Sequence, residues 1–165
     1  MSILNVLFLC THNSARSIMA EALLRHMAEG RVNAFSAGSH PRGEVHPLAL
    51  EVLEKRGIST AGLHSKAWDD FATPQAPRMS VVITVCDGAA GEMCPIWPGA
   101  PIKSHWGVEE PGRLAEGRTD EMARQAFGSV LEKLERRIQC FLELSLEEME
   151  DASIKQALDL IGQMN

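Results

Sequence analysis

Short, wholly apolar runs alternate along this chain with longer stretches of helical periodicity. Residues 3–9 are apolar on both faces of an extended chain, which predicts a buried central strand of a parallel sheet. Residues 17–27 then predict a helix, with Ser17 near its start and Gly30 just past its end. A second strand is expected over residues 33–37, closed by Gly38 and Pro41. A second helix follows over residues 47–55 and stops at Gly57. Residues 81–85 are β-branched throughout and form the clearest strand of all. A stretch rich in glycine and proline separates them from a last expected strand over residues 102–106. Thr119 then caps a long helix carrying Asp120 and Glu121 in its first turn. Its apolar residues Phe127, Val130, Leu131, Leu134, Ile138 and Phe141 follow helical spacing.

Alternating strands and helices predict a single α/β domain with a parallel sheet covered on both faces, spanning residues 1–144. Residues 145–165 read as an amphipathic helical tail. Ser145 and Glu148 have the spacing of a capping box, and Ile154, Ala157, Leu158 and Ile161 form an apolar stripe. The stripe either packs on its own domain or meets a second copy or partner, so a monomer is expected and a tail-mediated dimer is the alternative.

Composition narrows the classes. The 165 residues are 45% hydrophobic and 23% charged, as in an ordinary globular protein. A formal net charge of -6 and the lack of a basic stripe argue against a nucleic-acid partner. The short N-terminal apolar run lacks a basic leader, so it reads as a strand rather than a signal peptide or membrane span. A cytoplasmic, reducing setting is therefore the default. There the four cysteines are expected to be catalytic, metal-binding or inert rather than a permanent disulfide framework.

The chemistry is concentrated at Cys10, Thr11, His12, Asn13, Ser14, Ala15, Arg16 and Ser17. This C-x5-R segment lies between the first strand and the first helix. Its amides and the helix N-terminus would converge on one anion, and Arg16 offers a planar fork of donors to a tetrahedral oxyanion. The same positive field favours a thiolate, which makes Cys10 the expected nucleophile. Cys10 and Cys86 both fall just past the carboxyl ends of predicted central strands, where ligands bind in sheets of this kind. Seven residues separate Cys94 from Cys86, in a segment containing Gly88 and Gly91 that could rearrange. No metal site is expected, because structural zinc wants four closely spaced ligands.

Several separated blocks, VLFLCTHNSARSIMAEALLRH, FSAGSHPRGEVHPLALEVLEKRGI, VVITVCDGAAGEMCPIWPG and SHWGVEEP, resemble the arsenate reductases built on the low-molecular-weight tyrosine phosphatase fold. The likeness runs from about residue 3 to about residue 140. It implies a four-stranded parallel sheet and attack by Cys10 on arsenate held by Arg16 and the loop amides. It also implies a relay: a Cys10–Cys86 disulfide, then a Cys86–Cys94 disulfide, then reduction by a thioredoxin-type donor. Glutaredoxin or a small thiol is the alternative donor, and no bound cofactor is expected.

The same resemblance places an aspartate before a proline as general acid, where this chain has Glu110 before Pro111. Asn13 and Ser36 are expected to brace the loop through their side chains. Relatives of this kind hold a potassium ion nearby. Here the matching segment carries Lys66 and no expected carboxylate ligand, so the Lys66 ammonium is expected to take the cation's place. Cys140, Trp68 and Trp97 read as packing, and His105 and Trp106 as pocket wall or core. Two rivals remain open. One is a phosphatase for small phosphomonoesters or phosphotyrosine proteins using Cys10, Arg16 and Glu110. The other is a non-catalytic oxyanion-binding or redox-sensing protein.

Overall fold

The computed structural model describes residues 4–86, 97–112 and 117–164 in full and only the backbone of residues 113 and 114. Four strands, β1 (Leu4–Cys10), β2 (Val32–Gly38), β3 (Val81–Thr84) and β4 (Ile102–His105), form one parallel sheet. Its order is β2-β1-β3-β4. β1 is flanked on both edges, pairing Cys10 with Gly38 on one side and Leu9 with Thr84 on the other. That central place explains why its sequence is apolar at nearly every position. Val6, Phe8 and Cys10 enter one hydrophobic cluster, while Leu7 and Leu9 enter the other.

The first cluster is packed by α1 (Arg16–Ala28), α2 (Pro47–Lys55), α4 (Asp120–Leu142) and α5 (Asp151–Gly162). A one-turn helix, α3 (Pro111–Leu114), lies between β4 and α4. On the opposite face, Trp68 and Phe71 of a 3-10 turn join Met79, Val82 and Trp97 over β1 and β3. The expected strands and helices are therefore present in the expected order, with their stated ends shifted by at most one residue. The six apolar positions assigned to the long helix are each at most 1% exposed. Thr119 caps that helix by accepting from the Met122 N–H at 3.2 Å.

The tail departs from expectation at its start. Ser145 makes no side-chain cap; it precedes a 3-10 turn, Leu146–Glu148, with a ψ of 66° that is not that of an extended N-cap. The Glu148 N–H bonds to the Ser145 carbonyl instead, and half-buried Leu146 and Met149 pack on the core. The capping box therefore does not form, and α5 begins three residues later. Its stripe is spent on the chain's own core: Ile154, Leu158 and Ile161 are buried, and the helix covers the β4 edge.

Leu158→Ala should cost about 2–5 kcal/mol in a single cooperative denaturant transition. The equivalent change at exposed Leu160 should stay within about 0.5 kcal/mol. A Leu158 variant melting like the Leu160 variant would show that α5 contributes nothing to the core.

Candidate active site

The carboxyl end of β1 delivers Cys10, and the chain turns through residues 11–15 into α1, whose first residue is Arg16. Asn13 makes the turn feasible with a φ of 46°, a left-handed conformation that asparagine tolerates better than most residues. The loop carbonyls face outward into neighbouring backbone. Thr11 O accepts from His40 N at 2.8 Å, His12 O from Arg42 N at 3.0 Å, and Ser14 O from His46 N at 2.9 Å. The Ser65 hydroxyl adds a second bond to His12 O at 3.2 Å. With the carbonyls so occupied, the amide side of the loop is left for an anion or a sulfur. The Asn13 N–H already points at Cys10 Sγ, 3.1 Å away. Gly38 lets β2 approach this loop closely, since a Cβ there would lie 2.6 Å from Thr11 O.

Beneath the cysteine runs a buried polar chain whose donors and acceptors can be assigned in order. The Lys66 N–H donates to Asn13 Oδ1 at 2.8 Å, which orients the carboxamide. Asn13 Nδ2 then donates to Ser17 Oγ at 2.8 Å and to Ser36 Oγ at 3.0 Å. Because Ser17 accepts from Asn13, its own hydrogen is available for Cys10 Sγ at 2.8 Å. Ser36 in turn donates to Glu21 Oε1 at 2.6 Å. Glu21, only 3% exposed, also pairs with Arg25 one helical turn on. The Lys66 ammonium contacts His64 O at 2.8 Å, Ser36 Oγ at 3.4 Å and Glu21 Oε1 at 3.5 Å. Burial lowers the Lys66 pKa, and the Glu21 carboxylate opposes that shift.

Over the cup, Arg16 Nη2 is paired with Glu110 Oε2 at 2.9 Å, and Nη1 donates to Val108 O at 3.3 Å. The other Glu110 oxygen accepts from Gly112 N at 2.9 Å. An oxyanion entering the cup competes with Glu110 for the same guanidinium. The cleft is lined by Cys10, His12, Ser14, Ala15, Arg16, Arg42, His46 and Glu110. Thr11 stands apart from it, because its N–H points at Cys86 Sγ, 3.2 Å away. Cys86 itself is buried at the end of β3, where the Val85 N–H bonds to Leu9 O. Cys94 lies outside the described residues.

Burial pushes the Cys10 thiol up, against the Ser17 hydrogen bond and the Arg16 charge that pull it down. Desolvation is the largest of these influences, and the positive field expected from the sequence is present in the Arg16 charge that opposes it.

Three site residues escaped sequence reasoning. Glu21 sits on a helix face that is otherwise core, and a lone carboxylate there was the available signal. Arg42 and His46 reach the cleft from the segment after β2. His46 accepts the Leu48 N–H through Nδ1 at 3.1 Å and stacks on Phe127 at 4.6 Å between ring centres. Its Nδ1 is thereby committed as acceptor, which leaves the proton on Nε2. Burial lowers its pKa, Glu110 raises it and Arg42 lowers it. Trp68, Trp97 and Trp106 are buried. His105 is instead exposed on the β4 end, with Nδ1 2.7 Å from Thr84 Oγ1. Cys140 is half-buried against the core.

A cysteine nucleophile in an amide-lined cup, closed by an arginine at the start of a helix, defines an oxyanion-handling enzyme class on a parallel α/β sheet. The chain belongs to the low-molecular-weight phosphotyrosine protein phosphatase family, whose family model matches residues 5–155. Its curated relatives include an arsenate reductase of Halalkalibacterium halodurans, 34% identical over 84% of this chain and 94% of that protein. A glutaredoxin arsenate reductase of Synechocystis is 32% identical over 81% of this chain and 95% of its own length. A solved arsenate reductase in the phosphate binding state has a TM-score of 0.63 at 31% identity, covering 83% of this chain and 98% of that one. The thioredoxin-dependent arsenate reductase of Corynebacterium glutamicum has a TM-score of 0.53 at 32% identity. The match covers 83% of this chain and 62% of that longer protein.

Lys66→Ala should lose catalytic rate and about 2 kcal/mol of stability, since it strips charge-assisted bonds from the buried cluster. Its activity should also become potassium-stimulated, because the vacated site keeps Glu21, Ser36 and His64 O. A variant as active, stable and potassium-insensitive as wild type would remove Lys66 from the brace.

His46 generates an acid-side prediction. With its folded pKa lowered, the unfolded chain takes the proton first as pH falls through about 6.5, so stability is lost on the acid side. Thermal melts between about pH 7.5 and 5.5 should fall more steeply for wild type than for His46→Asn, which keeps a capping acceptor but cannot titrate. Equal slopes would clear His46 of that role.

Proposed function

We propose that this protein reduces arsenate to arsenite through a thiol relay that starts at Cys10. The observation that carries the reading is the second buried thiol. Cys86 Sγ lies 3.2 Å from the amide of Thr11, the residue after the nucleophile, and two residues past the end of the strand paired with β1. A phosphatase of this fold needs only Cys10. Two-electron reduction of an oxyanion needs further thiols, and the contact of Cys86 with the residue that follows Cys10 supports a relay between them. The arsenate reductases among the relatives support the choice.

The proposed chemistry balances as follows. Cys10, as thiolate, attacks arsenic held by Arg16 and the loop amides, and one arsenate oxygen leaves as water with protons from the medium or Glu110. Cys86 then attacks Cys10 Sγ. The sulfur–arsenic bond breaks, the electron pair stays on arsenic, and arsenite departs as a Cys10–Cys86 disulfide forms. Cys94 attacks Cys86 Sγ to give a Cys86–Cys94 disulfide and free Cys10. An external dithiol of the thioredoxin or glutaredoxin type reduces that bond. The thiols must start reduced, which fits a cytoplasmic setting. Among the described residues no helix is long and apolar enough to cross a membrane.

The reading of Glu110 as the group that protonates a leaving oxygen is supported by its place in the cleft lining and its contact with Arg16. That contact and the family membership also favour a side activity on small phosphomonoesters.

In an assay with arsenate, thioredoxin, thioredoxin reductase and NADPH, wild type should consume NADPH, with glutaredoxin and glutathione as the parallel donor arm. Cys10→Ser should abolish turnover. Cys86→Ser and Cys94→Ser should each reduce it by at least about a hundredfold while hydrolysis of a small aryl phosphate survives. Absence of arsenate-dependent turnover with every donor would refute the reading.

A further inference from the structure

The C-terminal helix grips the chain at the point where β4 runs into the loop bearing Glu110. Trp106 Nε1 donates to Leu158 O at 2.9 Å, and Ser104 Oγ donates to Asp159 Oδ1 at 2.7 Å. Gly162 lies so close to this corner that a Cβ would sit 2.3 Å from His105 O. Arg137, from α4, closes the clasp. It is 3% exposed, and it donates through Nη1 to Gly107 O at 3.1 Å and through Nη2 to Met164 O at 2.8 Å. Its Nε has no hydrogen-bond partner among the described residues, and no carboxylate there forms an ion pair with it.

A desolvated guanidinium held by two carbonyls, with one donor left unsatisfied, is a costly way to add stability. The arrangement is better explained by geometry. A planar fork with fixed angles joins the end of α5 to Gly107. The next residue, Val108, gives its carbonyl to Arg16, and Glu110 follows two residues later.

We propose that Arg137 and α5 together position the general-acid loop, with Arg137 the positioning residue that sets where the Glu110 carboxyl stands relative to Arg16. The inference rests on the reading of Glu110 as the acid. It gives the tail a task in catalysis, carried through the backbone of residues 105–108 rather than through contact with substrate.

The test uses the full chain and two aryl phosphates, phenyl phosphate with a poor leaving group and 2,4-dinitrophenyl phosphate with a good one. Only the poor leaving group depends strongly on a well-placed acid. Glu110→Gln sets the reference signature. Arg137→Met should lower kcat on phenyl phosphate at least about tenfold more than on the dinitrophenyl ester. Its inhibition constant for inorganic phosphate should change by less than kcat on phenyl phosphate, because Cys10 and the loop amides keep their places. Trp106→Phe, which removes one clasp bond while keeping an aromatic ring, should show the same bias more weakly, and Arg137→Lys should restore part of the loss. The Arg137→Met and Glu110→Gln effects should not add in the double variant. Equal losses on both esters, or additive effects, would reduce Arg137 to a structural residue and overturn the proposal. A Glu110→Gln enzyme without leaving-group bias would overturn the acid assignment and this proposal together. Bias in Glu110→Gln but not in Arg137→Met or Trp106→Phe would overturn this proposal alone.

Discussion

The Asn13 side chain is the constraint on which the catalytic cup depends. Its backbone takes a left-handed turn, so that its N–H faces Cys10 while the preceding carbonyl faces out. The carboxamide holds that turn from below, anchored by the Lys66 N–H on one side and by Ser17 and Ser36 on the other. The nucleophile, the helix that begins at Arg16, and β2 are thereby tied to one group. The bonds that Ser17 and Ser36 accept from its Nδ2 follow from the orientation of the carboxamide.

That polar chain ends in charge. Glu21 is buried with cations on two sides, Arg25 from its own helix and Lys66 from a loop remote in sequence. A buried carboxylate is costly alone, and here it is neutralised locally and hydrogen-bonded through Ser36. The upper side of the cup is arranged differently. Arg16 and Glu110 are paired across a cleft partly open to water, so an anion can exchange for the carboxylate without leaving a buried charge unmatched. Burial raises the Cys10 pKa and the Arg16 charge opposes that shift.

Much of this was legible from local patterns. Residues 3–9 could only be a central strand because their apolar side chains fill both faces, and β1 does pack into both clusters. The C-x5-R segment announced an oxyanion cup because strand, loop and helix N-terminus follow one another without a break. Lys66 was legible as a cation, but its carboxylate partner was not. Glu21 is separated from it by 45 residues of chain and lies on α1 facing the core. Arg42, His46 and Arg137 were missed for the same reason, since each acquires meaning only through what it meets. The expected capping box at Ser145 failed because Leu146 and Met149 were drawn into the core, and packing overrode a local hydrogen-bond pattern.

Periodicity and loop chemistry in the sequence determined the order of the elements, the parallel sheet, the nucleophile and its arginine, because those depend on neighbours within a strand or a helical turn. Only the tertiary structure decided that Cys86 Sγ meets the Thr11 amide, that Glu110 rests on Arg16, and that the apolar stripe of the C-terminal helix packs on the chain's own core. These relations join residues distant along the chain, and they exist only once strand pairing and core packing have fixed where each element lies.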